Sequence, residues 1–151
     1  MKDLSKLSIG IASDHAGYLL KEDLKTFLKP LVYELKDFGT NSESSCDYPD
    51  FAHPLASAVN AGEFDFGIAI CGTANGMSMT CNKYPNVRAA LCWKDEIAKL
   101  ARQHNDANII GLPARFISEA EAEHFLETFL TTDFEGGRHE ARVTKISKVI
   151  K

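Results

Sequence analysis

Apolar and polar positions follow two alternating periods along the chain. Residues 7–12 (LSIGIA), 31–35, 66–70 (FGIAI), 87–91 and 108–111 are short apolar runs, the pattern of strands covered on both faces. Between them apolar residues recur every three or four positions, which predicts helices. Leu20, Leu24, Phe27 and Leu28 form one stripe that stops at Pro30. Phe51, Leu55 and Val59 form a second, and Ile97, Leu100, Ala101 and His104 a third. Ser118 with Glu121 reads as a capping box opening a helix that carries Ala122, Phe125, Leu126 and Phe129. After Gly136-Gly137, the positions Val143, Ile146, Val149 and Ile150 give a last helical stripe. The Ser- and Asn-rich stretch 39–47 is the one long loop. Five strands alternating with helices predict an α/β fold, a parallel sheet covered on both faces with right-handed crossovers. Ligands of such sheets bind beyond the carboxyl ends of the strands, which directs attention to Asp14-His15, Cys71 to Gly76, Trp93 and Arg115.

Composition narrows the class. The 151 residues, 44% hydrophobic and 25% charged, suit a single globular domain spanning 1–151, with a core that needs no disulfide or metal. Seventeen basic against 21 acidic residues give a formal charge of −4, so no nucleic-acid partner is expected. Cys46, Cys71, Cys81 and Cys92 lie 25, 10 and 11 residues apart, spacings that match neither a zinc CxxC pair nor a disulfide framework. The N-terminus lacks the apolar stretch of a signal peptide, and no run reaches the ~20 residues that cross a bilayer. No membrane partner is expected, and a cytoplasmic location is.

The segment CGTANGMSM, Cys71 to Met79, follows an apolar strand directly. Gly72 and Gly76 allow close backbone approach, Thr73 and Ser78 bring hydroxyls, and a helix starting here directs amides at an anion. Such amides favour the thiolate of a cysteine placed among them. Cys71 is thus either a reactive thiol or a small buried hydrophobe ending a strand. Neither GxxxxGK[ST] nor GxGxxG is present, which argues against nucleotide fingerprints. Asp14 suits a helix N-cap, and His15 beside it suits a donor to a phosphate or sugar oxygen. His104 continues an apolar stripe, so it is either a core histidine or an acid–base imidazole. Arg138 and Arg142, four residues apart with His139 between them, form either a phosphate clamp or a solvated basic turn. His53 and His124 have no such company.

Taken together, the chain resembles the type B ribose-5-phosphate isomerases and their relatives acting on galactose and allose 6-phosphates. Six blocks carry the resemblance in order: ASDHAG (12–17), DYPDFA (47–52), CGTANGMSMTCNK (71–83), RAALC (88–92), RQHNDANII (102–110) and GGRHEARVTKI (136–146). The resemblance implies a Rossmann-like three-layer α/β/α sandwich with a five-stranded parallel sheet. It also implies a homodimer or dimer of dimers, with a C-terminal helix on the partner subunit and active sites shared between chains. No metal and no organic cofactor is implied. The implied reaction is aldose–ketose isomerisation of a small sugar phosphate through a cis-enediolate, with Cys71 moving the proton between C2 and C1. Thr73 and the amides of Gly72, Ala74, Asn75 and Gly76 match the anion hole, and His104 the group that opens the sugar ring. Asp14 and Tyr48 match contacts to sugar hydroxyls. His15, Arg138 and Arg142 match phosphate contacts, Asn105 and His139 match residues lining the same pocket, and Arg115 sits where some members add a further phosphate contact. The family loop usually reads CGTGIGMS; Ala74 here replaces a glycine, placing a methyl where glycine conformation is expected. Pentose is the leading substrate and hexose 6-phosphate the alternative. A non-catalytic flavodoxin-like nucleotide module is the remote third reading.

Overall fold

The computed structural model describes residues 2–148, so Val149 and Ile150 of the last stripe lie outside the described residues. After a 3-10 turn at Leu4–Lys6, the chain runs β1 (Ser8–Ser13), α1 (Tyr18–Leu28), β2 (Glu34–Asp37), α2 (Pro49–Asn60), β3 (Phe66–Cys71) and α3 (Asn75–Cys81). It continues with β4 (Ala89–Leu91), α4 (Asp95–Asn105), β5 (Ile109–Pro113), α5 (Glu119–Thr131) and α6 (Arg138–Ile146). The five strands form one sheet in the order β2-β1-β3-β5-β4, every neighbour parallel.

Strand periodicity divides the core in two. Ile9, Ile11, Ile68, Ile70, Ile110 and Leu112 face Leu20, Leu24 and Leu28 of α1, Ala98 and Ala101 of α4, and Phe125, Leu126 and Phe129 of α5. Ala12, Ala69, Cys71 and Ile109 face α2 and α3 through Ala52, Leu55, Ala56, Val59, Met77 and Cys81. The second face is built from smaller residues, so α2 and α3 approach closely: a methyl on Gly67 would press on Ile109 and Leu55 at 3.0–3.2 Å. Each large side chain buried here contributes about 1.5–3 kcal/mol relative to an exposed one.

The second strand lies at Glu34–Asp37 and not at 31–35. The carbonyl of Leu28 accepts N–H bonds from both Leu31 and Val32, so the chain is still turning out of α1 there. β2 is an edge strand whose residues alternate exposed and half-buried, which gives it little apolar signal. The capping box at Ser118 and Glu121 is formed in both directions. No helix among the described residues is long and apolar enough to cross a membrane.

From β1 the sheet grows to one side through β2 and to the other through β3. The carboxyl ends of β1 and β3 therefore flank a reversal of strand order, where a crevice opens.

Candidate active site

A cleft of about 220 Å³ occupies that reversal, lined by Asp14, His15, Ala16, Tyr48, Cys71, Gly72, Thr73, Gly76 and Arg115. Asp14 leaves β1 with its N–H donating to the Ile70 carbonyl (3.2 Å), while its Oδ1 accepts the Gly17 N–H (3.1 Å). The N-cap of α1 is Gly17, with no side chain capping the helix, so Asp14 is not the cap expected of it; its carboxylate closes the turn before α1 and lines the cleft. Nδ1 of His15 accepts the backbone N–H of Cys46 at 3.3 Å. Cys71 ends β3; its carbonyl accepts from Ala114 N–H (2.9 Å), and Gly72 O accepts from Arg115 N–H (3.1 Å). These bonds lay Arg115 across Gly72, where a methyl would come within 3.2–3.3 Å of Cδ, Nε and Nη1 of the arginine. The Tyr48 ring sits on Gly76 so closely that a Cβ there would lie 2.6–2.8 Å from it.

The loop between β3 and α3 behaves as its composition predicts at one position and not at another. Ala74 takes the left-handed conformation (φ 64°, ψ −5°), the glycine-like geometry its place demanded. It is fully buried, so it shapes the loop from beneath, while exposed Asn75 donates its N–H to Thr73 Oγ1 at 3.3 Å. Ser78 does not serve the cleft. It is buried with its Oγ facing Gly111 and no hydrogen-bond partner among the described residues.

Only one of the four thiols lines this cleft. Burial pushes Cys81 up to about 12, helped by the neighbouring Cys71, and burial alone pushes Cys92 up to about 12. Both stay protonated and inert near neutral pH.

The remaining candidates sit elsewhere. His104, Asn105, His139 and Arg142 line a separate cleft of about 310 Å³ with Val143 and Ile146. The imidazoles of His104 and His139 stack with centroids 4.2 Å apart at 13°, and His104 is itself half-buried, so it is not a core residue. His139 is buried in the seam between α4 and α6, and that burial, with His104, Arg138 and Arg142 nearby, holds its ring below the ordinary histidine range. Arg138 is exposed at the start of α6 and Arg142 one turn on. Topology explains the separation. α4 crosses back from β4 to β5, so its last residues return to the amino edge of a parallel sheet, while Cys71 ends β3 at the carboxyl edge. Within one chain His104 and Cys71 lie at opposite edges.

A residue that no sequence pattern singles out fixes this second cluster. Arg102 is buried; its Nη1 donates to Ala107 O (2.5 Å) and pairs with Asp106 (2.9 Å), and its Nε donates to Thr132 O (3.2 Å). Its guanidinium lies over Phe66 and Phe129. This brace holds the end of α4, and hence His104 and Asn105, against the body of the domain. An arginine inside an amphipathic helix reads as surface, so no pattern signalled it.

His104, Glu135 and His139 bring donor atoms within 4.8 Å of one another. Lone pairs of imidazole lie in the ring plane, and two parallel planes cannot both aim at one ion at about 2.1 Å. The pair is arranged to stack.

The family model described as Ribose/Galactose Isomerase matches residues 9–146. The chain belongs to that family. The solved ribose 5-phosphate isomerase of Thermotoga maritima shares 49% identity with it at a TM-score of 0.92, covering 95% of this chain and 99% of that one. The Mycoplasma genitalium ribose-5-phosphate isomerase B, solved with bound ribulose 5-phosphate, is 42% identical at TM-score 0.90, with 93% and 94% covered. Among curated relatives, ribose-5-phosphate isomerase B of Escherichia coli is 38% identical over 141 residues, 93% of this chain and 95% of that protein.

Proposed function

We propose that the protein interconverts ribose 5-phosphate and ribulose 5-phosphate, in sites assembled from two chains. The observation that carries this is the position of Cys71: a thiol at the mouth of an amide-rich loop, facing Asp14, His15, Thr73 and Arg115. The relative holding ribulose 5-phosphate supports the substrate.

In this reading the Cys71 thiolate removes the proton from C2 of the open-chain aldose and returns it to C1. The hydroxyl proton moves from O2 to O1, so the ketose forms with nothing gained or lost. Charge on the enediolate is met by Thr73 and the amides of residues 72–76, preset before the reaction. Asp14 and Tyr48 hold sugar hydroxyls, and His15 and Arg115 take phosphate oxygens. Ring opening needs an acid–base group besides those that hold the phosphate and hydroxyls in the Cys71 cleft. His104 supplies it from a second copy, together with Asn105, His139, Arg138 and Arg142. α6 suits such an arrangement: of its residues only His139 is buried, and Ile146 is 57% exposed. A groove of about 560 Å³ beside Asn105 and Ile146 continues that surface. The thiol chemistry suits the cytoplasm, where cysteines stay reduced.

Mixing two inactive homodimers, Cys71→Ala and Arg142→Ala, under subunit exchange tests the shared site. In a mixed two-fold dimer one site collects both substitutions and the other collects neither. Random exchange makes about half the dimers mixed, so roughly a quarter of all sites regain activity. No recovery after verified exchange refutes the two-chain site.

A further inference from the structure

The loop at 39–47 has no part in the reaction just described, yet it is tied to the cleft at both ends. At its start, Ser13 N–H donates to Gly39 O (2.7 Å) and Thr40 N–H to Ser13 O (2.8 Å). Asp37, just before it, accepts the Gly39 N–H (2.8 Å) while paired with Lys21 (2.6 Å) and Lys25 (2.8 Å). The Lys21 side chain is wholly buried, so this anchor is part of the core. At the other end, Cys46 comes back over the turn after β1. Its backbone N–H donates to Nδ1 of His15 at 3.3 Å, and its Sγ lies 3.8 Å from the same nitrogen.

Both Cys46 groups are donors, the thiol a weak one, and they converge on one ring nitrogen. A neutral imidazole carries a single proton, so a nitrogen that accepts leaves it on the other. The opposite tautomer would set two N–H groups against each other across 3.3 Å and turn a bare lone pair toward an anion. We propose that Cys46 is a positioning residue whose backbone amide holds His15 as the Nε2–H tautomer, so that the ring meets the substrate's phosphate as a hydrogen-bond donor. The donor role rests on the phosphate reading of the cleft; the tautomer does not. Because the amide does the work, the Cys46 side chain is replaceable and the backbone bond is not.

The test uses intact protein labelled with 15N-histidine and long-range 1H–15N correlation of the free enzyme, at a pH where the ring is neutral. His15 should show a protonated Nε2 and a lone-pair-type Nδ1. A protonated Nδ1 overturns the proposal whatever the substrate. Cys46→Ser keeps the amide and should keep the pattern, whereas Cys46→Pro lacks the N–H and should lose it. With the tautomer released, KM for ribose 5-phosphate should rise about tenfold, the worth of one charge-assisted hydrogen bond, and kcat should fall less. If Cys46→Pro does not fold, an ester in place of the 45–46 peptide bond removes the same N–H with the side chain intact. An unchanged His15 spectrum in the folded Pro or ester form overturns the proposal. A lost tautomer with unaltered KM overturns the phosphate half alone.

Discussion

Replacing Gly17 by alanine should damage stability and catalysis together, through one atom. Gly17 closes the turn between β1 and α1 with an ordinary backbone (φ −96°), so its need is for space and not for conformation. A methyl there would lie 2.7 Å from Ile70 Cγ2, 2.8 Å from Ile70 O and 3.0 Å from Ile70 C. Two of those atoms are main chain of β3, in the middle of the sheet, and cannot swing aside. Overpacking of this kind costs about 1–3 kcal/mol, and an unyielding neighbour places it near 2–3. For a chain of this length that lowers Tm by roughly 4–12 °C at fixed protein concentration. The crowded oxygen is also the one that accepts the Asp14 N–H. Pushing α1 off β3 therefore shifts Asp14 and His15 relative to Cys71, and a displacement near 1 Å costs on the order of 100-fold in kcat/KM. Gly62→Ala is the control. That position has φ +77° but nothing within 4 Å of the added methyl, so it should lose about 1–2 kcal/mol to backbone strain with kcat/KM retained. Thermal denaturation and initial rates measure both proteins. An unchanged Tm and full activity in Gly17→Ala would refute the reasoning.

Cys71→Ala should abolish isomerisation and solvent-deuterium exchange at C2 while circular dichroism and phosphate-ligand binding persist; retained turnover ends the assignment. His104→Ala should reduce turnover of the cyclic sugar far more than that of an analogue locked open, and equal losses would leave the residue a packing role only. Since burial holds His139 below its ordinary value of 6.5, the unfolded chain binds its proton first as the medium is acidified. The α4–α6 seam is therefore fully stabilised above about pH 6.5 and weakens as pH falls from there toward the folded value. Urea midpoints measured between pH 7 and 5 should show this slope in the native protein and less of it in His139→Gln; equal slopes contradict it.

What the sequence disclosed followed the physics of each signal. β3 was legible because FGIAI is buried on both faces, and the turn after it because glycines cluster where strand meets helix. The odd alanine in that turn was legible too: a methyl where glycine was expected does adopt φ 64°. The edge strand was displaced because ELKD is half-solvated and the apolar residues before it still belong to the helix exit. Ser78 was misread since a hydroxyl in a functional loop looks the same whether it faces a ligand or Gly111. Arg102 and Cys46 left no trace, one acting through a buried guanidinium on a polar helix face, the other through an amide that nearly any residue carries. The placement of Cys71 and His104 at opposite sheet edges needed the direction of α4 as well as its residues.

That separation bears on how the protein would come into service. On the proposed two-chain site, a newly folded chain carries two incomplete half-sites, the Cys71 cleft at one edge and the His104 cluster at the other. Competence would then arrive at encounter, as a second-order event that folding alone does not confer. Specific activity should vanish on dilution below the pairing constant and return on concentration. Any change that loosens the seat of α6 would present to an assay as a catalytic defect although no reacting group had been touched.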